Sequence, residues 1–162
     1  MLRFIFRAIF RASRRPRLVH TSPAPARVPK PAAPTPPKPV VGRIAGKCHV
    51  IDGDTIVIKR TKIRLAGINA PELHEPWGQK SKWAMVGICK GQVVTAELTG
   101  ETSYDRLLGT CYHADGTDIG AELIKQGLAL DGGYFSSGKY RHLEPYGARR
   151  KLTRVFWDRR SG

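Results

Sequence analysis

Cysteine is scarce and odd in number: Cys48, Cys89 and Cys111 in 162 residues. None sits in a CxxC, and His49, His74, His113 and His142 have no zinc-like spacing among themselves or with a cysteine, which argues against a His/Cys metal site. One cysteine pair could close in an oxidising compartment, but the sequence does not select it; as small, mostly buried residues the three leave the compartment open. Long apolar runs are missing from the start of the chain. In residues 1–11, MLRFIFRAIFR, none exceeds three residues, short of the about 20 that a membrane-spanning helix needs and the roughly 7–15 of a secretory h-region. Acid is absent from residues 1–44, which hold ten of the 28 lysines and arginines and none of the 13 aspartates and glutamates. The remainder has 18 basic against 13 acidic residues, a net of +5 out of +15. Two thirds of the excess charge therefore belongs to the leader, and a pI near 10.3 is weak evidence that the rest binds nucleic acid.

What is present divides the chain in three. Residues 1–20 are a basic amphipathic leader: Arg3, Arg7 and Arg11 are four apart, along one helical face, with Leu2, Phe4, Ile5, Phe6, Ile9 and Phe10 covering the rest. Such a segment suits an anionic membrane surface, through residues 1–17, or an Arg-rich organellar presequence; the plain alternative is a solvated tail. Membrane association or export is favoured. Residues 21–43 are a Pro/Ala-rich spacer, extended and semi-rigid. The globular part is residues 44–160, its folded chain beginning near Val41, with no internal repeat and room for one domain.

Short β-branched runs at 47–51 and 55–59 flank the turn Asp52-Gly53-Asp54. Residues 62–65 alternate polar and apolar, pointing Lys62 and Arg64 the same way. A helical pattern follows at 77–89 with Gly91 as its stop. Strands are expected at 92–98 and 107–113, a helix at 118–126 capped by Thr117 or Asp118, and a last helix near 145–153 with Pro145 in its first turn. Five short strands with a helix after the third suggest a small closed barrel rather than a parallel sheet.

The chemistry is concentrated in Asp52-Gly53-Asp54-Thr55, then Arg64-Leu65-Ala66-Gly67-Ile68-Asn69-Ala70-Pro71-Glu72, then Tyr104-Asp105-Arg106. Acidic, amide and guanidinium groups around one hairpin can hold a hard cation beside a phosphodiester and aim a water at phosphorus. Taken singly, each has a plain reading: Asp-Gly is the commonest turn pair, Lys62 and Arg64 suit a solvated strand face, Glu72 after Pro71 suits a turn, and Arg106 suits a surface pair with Asp105. Tyr134, Phe135 and Tyr140 are either packing residues or base-stacking ones, and Glu144 suits a tie between the last helix and the barrel.

Taken together, residues 46–157 resemble the staphylococcal nuclease-like (thermonuclease) family. The resemblance is carried by these motifs in order, by Ala121-Glu122-Leu123-Ile124-Lys125-Gln126-Gly127-Leu128-Ala129, and by Tyr140, Glu144, Ala148 and Trp157. It implies an α+β, mainly β fold: a five-stranded OB-fold barrel with about three helices. It implies Ca²⁺-dependent hydrolysis of DNA and/or RNA, with one ion held by Asp54, Asn69 and the carbonyl of Ala70; a monomer is expected. Glu72 falls on the family's water-orienting carboxylate, and Arg64 and Arg106 on the two arginines that grip the scissile phosphate. Apart from the resemblance, Tyr104 and Tyr134 are expected to touch the substrate. Asn69 departs from the family, which commonly has a second calcium-binding aspartate there. The amide keeps an oxygen and loses a charge, so the ion should be weakly bound. The alternative is a catalytically inactive OB-fold module that binds nucleic acid and is tethered by its N-terminal segment. Asp105, where the family usually has glycine, and Thr102, where an acid is frequent, bear on the shape of that loop.

Overall fold

Strand β1 (Gly42–Gly46) and strand β2 (Cys48–Asp52) follow one another with only Lys47 between them, yet they form opposite edges of one six-stranded sheet. The computed structural model describes residues 41–133 and 135–152. Along the chain come β3 (Thr55–Ile58), β4 (Thr61–Leu65), β5 (Ile68–Asn69), α1 (Gly78–Cys89), β6 (Val94–Ser103), β7 (Arg106–His113), α2 (Ile119–Lys125) and β8 (Leu130–Asp131). A 3-10 turn at Arg141–Leu143 precedes a last helix, α3, at residues 148–152. The sheet order is β1-β6-β7-β4-β3-β2, antiparallel except between β4 and β7. Because its two edges are consecutive in the chain, the sheet must curl toward closure. The result is an α+β OB-fold: a curled sheet with three helices.

Local chemistry sets the turns. β3 and β4 meet at Lys59–Arg60, both with positive φ (48° and 67°), the conformation a two-residue hairpin needs to match strand twist. The Asp118 carboxylate caps α2, accepting from Gly120 N at 3.0 Å and Ala121 N at 3.1 Å. The core lies inside the curl: Ile56, Ile58, Ile63, Val94 and Cys111 from the sheet, Met85 from α1, and Ile119, Leu123 and Ile124 from α2. Each such aliphatic side chain contributes about 1.5–3 kcal/mol on burial. Leu130, Ala148 and Leu152 form a smaller cluster. No helix of the described residues is long and apolar enough to cross a membrane.

The five expected strands are present as β2, β3, β4, β6 and β7, and the three helices as α1, α2 and α3. Three strands were not expected: β1, which pairs with β6, and β5 and β8, which pair only with each other. Pro145 lies ahead of α3 rather than in its first turn.

Candidate functional site

The turn between β2 and β3 is held by its own side chains. Asp52, buried, accepts from Asp54 N at 3.0 Å. Gly53 is required between them, because a Cβ there would lie 2.0 Å from Ser81 Oγ of α1 and 2.7 Å from the Ala70 Cβ. Asp54 is only 3% exposed. Its Oδ1 accepts from Arg64 Nη1 at 2.8 Å and from the Thr55 hydroxyl at 3.1 Å, and its Oδ2 from Ala70 N at 3.2 Å. Burial dominates its acidity. It pushes the carboxyl from 3.8 up to about 6, Arg64 opposes the shift and the Asp52 charge adds to it.

Parallel pairing of β4 with β7 places the two arginines on neighbouring strands. Ile63 lies opposite Leu107, which puts Arg64 and Arg106 two register positions apart on the same face. Arg64 reaches Asn69 Oδ1 through Nη2 at 3.3 Å. Arg106 Nη1 donates to Thr55 Oγ1 at 3.0 Å, while its Nε is buried without an acceptor among the described residues. One continuous chain of contacts results: Arg106, Thr55, Asp54, Arg64, Asn69. The Thr55 hydroxyl links Arg106 to the rest, accepting from Arg106 and donating to Asp54.

Asn69 ends β5, and Ala70 and Pro71 are buried behind it. Glu72 is half-buried, and its N–H donates to Glu75 Oε2 at 2.7 Å. Helix α1 begins against this loop: a Cβ on Gly78 would fall 1.8 Å from the Glu72 carbonyl oxygen. Tyr104 occupies the turn between β6 and β7 with φ 56° and is 95% exposed. Asp105 pairs with Lys62 rather than with Arg106, and that ammonium holds its carboxyl below the usual range. Tyr134 lies outside the described residues. Tyr140 is buried and donates its hydroxyl to Asp118 Oδ2 at 2.7 Å, a packing role. Glu144 accepts from Asp131 N at 2.9 Å and from Arg149 Nε at 2.9 Å, so it ties α3 to β8.

The structure thus gathers Asp54, Arg64, Asn69, Ala70 and Arg106, keeps Glu72 on the adjoining loop, and leaves Tyr104 in solvent. Asp52 and Thr55 were singled out only as parts of their motif; the bond of Asp52 to Asp54 N and the bridge that Thr55 makes to Arg106 were not foreseen. Among the described residues no group of three or more His, Cys, Asp or Glu could hold a metal. The side-chain oxygens that meet the two arginines are the Asp54 carboxylate, the Asn69 amide oxygen and the Thr55 hydroxyl. Oxygen donors of this kind suit a hard cation rather than a soft one.

The OB-fold thus sets oxygens between two guanidiniums, groups that are able to oppose negative charge on an anion. Residues 62–155 match the family model described as staphylococcal nuclease homologue, and the chain belongs to that family. The match takes in Arg64, Asn69, Ala70, Glu72 and Arg106 but begins after Asp54. The chain is 35% identical over 108 residues to the succinoglycan biosynthesis protein ExoI of Rhizobium meliloti (strain 1021), covering 60% of this chain and 56% of that protein. It is 34% identical over 85 residues to an uncharacterized endonuclease of Escherichia coli O157:H7, covering 50% and 56%. It is also 34% identical over 100 residues to endonuclease YhcR of Bacillus subtilis (strain 168), covering 50% of this chain and 8% of that protein. The chain spans little more than half the length of the first two.

Proposed function

We propose that this chain is a nuclease that hydrolyses phosphodiester bonds of DNA and/or RNA with the help of one weakly bound Ca²⁺. The observation that carries the reading is the unbroken contact chain from Arg106 through Thr55 and Asp54 to Arg64, which presents two guanidiniums on one face. Asp54, the amide oxygen of Asn69 and the carbonyl of Ala70 would hold the ion, which when bound supplies Lewis-acid stabilisation of the phosphate's charge. Arg64 and Arg106 bind the scissile phosphate and oppose negative charge where it grows on the nonbridging oxygens. Glu72 orients the attacking water and takes its proton. Glu72→Gln should lower cleavage about 10²–10⁴-fold without unfolding the barrel, as read by gel assay beside a thermal melt.

The test is incubation of the full chain with labelled single-stranded DNA and RNA in millimolar Ca²⁺ or in EDTA. Cleavage that requires Ca²⁺ is expected. Asn69 favours a second reading, an inactive OB-fold module, because one ligand charge is missing; salt-sensitive binding without cleavage in Ca²⁺, Mg²⁺ or Mn²⁺ would select it. Residues 1–17 are read as a contact for anionic membrane surface, and residues 21–43 as the tether that joins it to a monomeric domain. Flotation with anionic liposomes that survives deletion of residues 1–20 would remove that part of the proposal.

A further inference from the structure

Helix α1 starts at a backbone position that tryptophan disfavours. Trp77, its N-cap residue, has φ 72° and makes no side-chain capping bond. A bulky residue in the left-handed region is strained, and such strain gathers at working surfaces. Two ammonium groups cover its ring: Lys80 Nζ lies 5.0 Å from the centroid and Lys151 Nζ 4.5 Å, one from α1 and one from α3. Like charges on one ring repel. Burial and then the neighbouring Lys80 both favour the neutral form of Lys151. Among the described residues neither ammonium has an ion-pair partner, so an incoming anion would relieve the repulsion.

The same face continues along α1, which contains no acid (GQKSKWAMVGIC). Trp83 follows Lys80 by three residues and is 64% exposed. Gly87 follows four later, and a Cβ there would meet nothing within 4 Å. Nothing inside the protein calls for a glycine at that position, where it weakens the helix; its effect is to leave the surface flat beside Trp83. Lys90 closes the stripe at the helix end. The stripe is continuous with the site, because Gly78, next to Trp77, lies against the backbone of Glu72.

We propose that Trp77, Lys80, Lys151 and Trp83 form a second nucleic-acid contact, which carries the single-stranded substrate on one side of the scissile phosphate. The two ammoniums take backbone phosphates over the Trp77 ring, and Trp83 stacks on a base. Stacking accepts any base, so the surface adds affinity without sequence preference. At twelve residues α1 is about 18 Å long, enough for a few nucleotides. The placement beside the scissile bond rests on the nuclease reading above; the contact itself does not.

The experiment separates the two. Full-length protein carrying Glu72→Gln is titrated in EDTA with fluorescent oligothymidylate of about 20 nucleotides and, separately, with a trinucleotide, across a range of salt. Anisotropy then reports binding whether or not the chain cleaves anything. Lys80→Ala with Lys151→Ala should weaken binding of the long strand about tenfold or more and reduce the log–log salt slope by about 1.4, with the trinucleotide affected less than twofold. Trp83→Ala should cost a further factor of about ten. If loss of Lys151 loosens α3, as a melt would reveal, Lys80→Ala with Trp83→Ala on the exposed helix face replaces it. Unchanged affinity and slope, or equal losses for long and short strands, would overturn the contact. So would substitutions that weaken binding of the full chain to phosphatidylglycerol vesicles while leaving oligonucleotide binding unchanged. Failure of cleavage in the wild type, with the long-strand effect intact, would overturn the nuclease reading alone.

Discussion

At Thr55 one hydroxyl joins the two halves of the site. It donates to Asp54 and accepts from Arg106, so the second arginine is aimed through a side chain fixed by the first carboxylate. Thr55→Val keeps the volume and removes both bonds. It should lower kcat about tenfold with little change in Tm, since a misaimed guanidinium loses transition-state contact before it loses binding; steady-state kinetics read the split. Asp54 carries the opposite balance of function and stability. Its folded-state value of about 6 exceeds the unfolded 3.8, so the folded protein holds this proton more tightly. The stability gained from the neutral carboxyl is complete below about pH 4 and is lost as pH rises through about 6. Metal-free protein should therefore lose on the order of 1–3 kcal/mol across that window. Asp54→Asn should flatten the dependence and raise Tm at neutral pH while abolishing cleavage, as thermal melts over pH 4–8 would record. A falling Tm in that variant would mean the Arg64 ion pair outweighs the cost of burial.

At the scale of elements, the contact of α1 with the loop after β5 locates Glu72. Gly78→Ala places a methyl group 1.8 Å from the Glu72 carbonyl oxygen, so the loop or the helix must move. Activity should fall about 10²-fold, and Tm should drop although alanine is the better helix former by about 1 kcal/mol. Gly87→Ala, with open space around it, should instead raise Tm. These elements differ in how legible they were. β2, β3, β4, β6 and β7 announced themselves by β-branched residues and alternation, and α2 by Asp118 before it and Gly127 after it. β1 did not, because GRIAG has a glycine at each end and few apolar residues to show a period. β5 and β8, at two residues each, are too short for any period; their pairing is a product of the tertiary fold. In the site, Asp54, Arg64, Asn69 and Ala70 were readable from two contiguous motifs. The bridge through Thr55 was not, since it depends on the parallel register of β4 and β7, which local sequence does not encode.

On the whole-molecule scale the charge and the fold are separable. Ten of the fifteen excess positive charges lie in residues 1–44, ahead of or at the very start of the sheet. Removal of residues 1–40 should leave the Tm of the barrel within a degree or two while flattening the salt dependence of nucleic-acid binding by several units of log–log slope. Calorimetry and salt titration of the shortened chain check both. The pairing of β1 with β6 has a temporal consequence as well. Gly42 lies opposite Leu98, so β1 waits for its partner through more than fifty residues of synthesis. At about 5–20 residues per second that delay is on the order of 3–10 s, and the β4–β7 pairing that brings the arginines together is delayed with it. The nascent chain carries its acid cluster and its basic leader long before it carries a site. The two arginines therefore come together only after β7, at Arg106–His113, has been made.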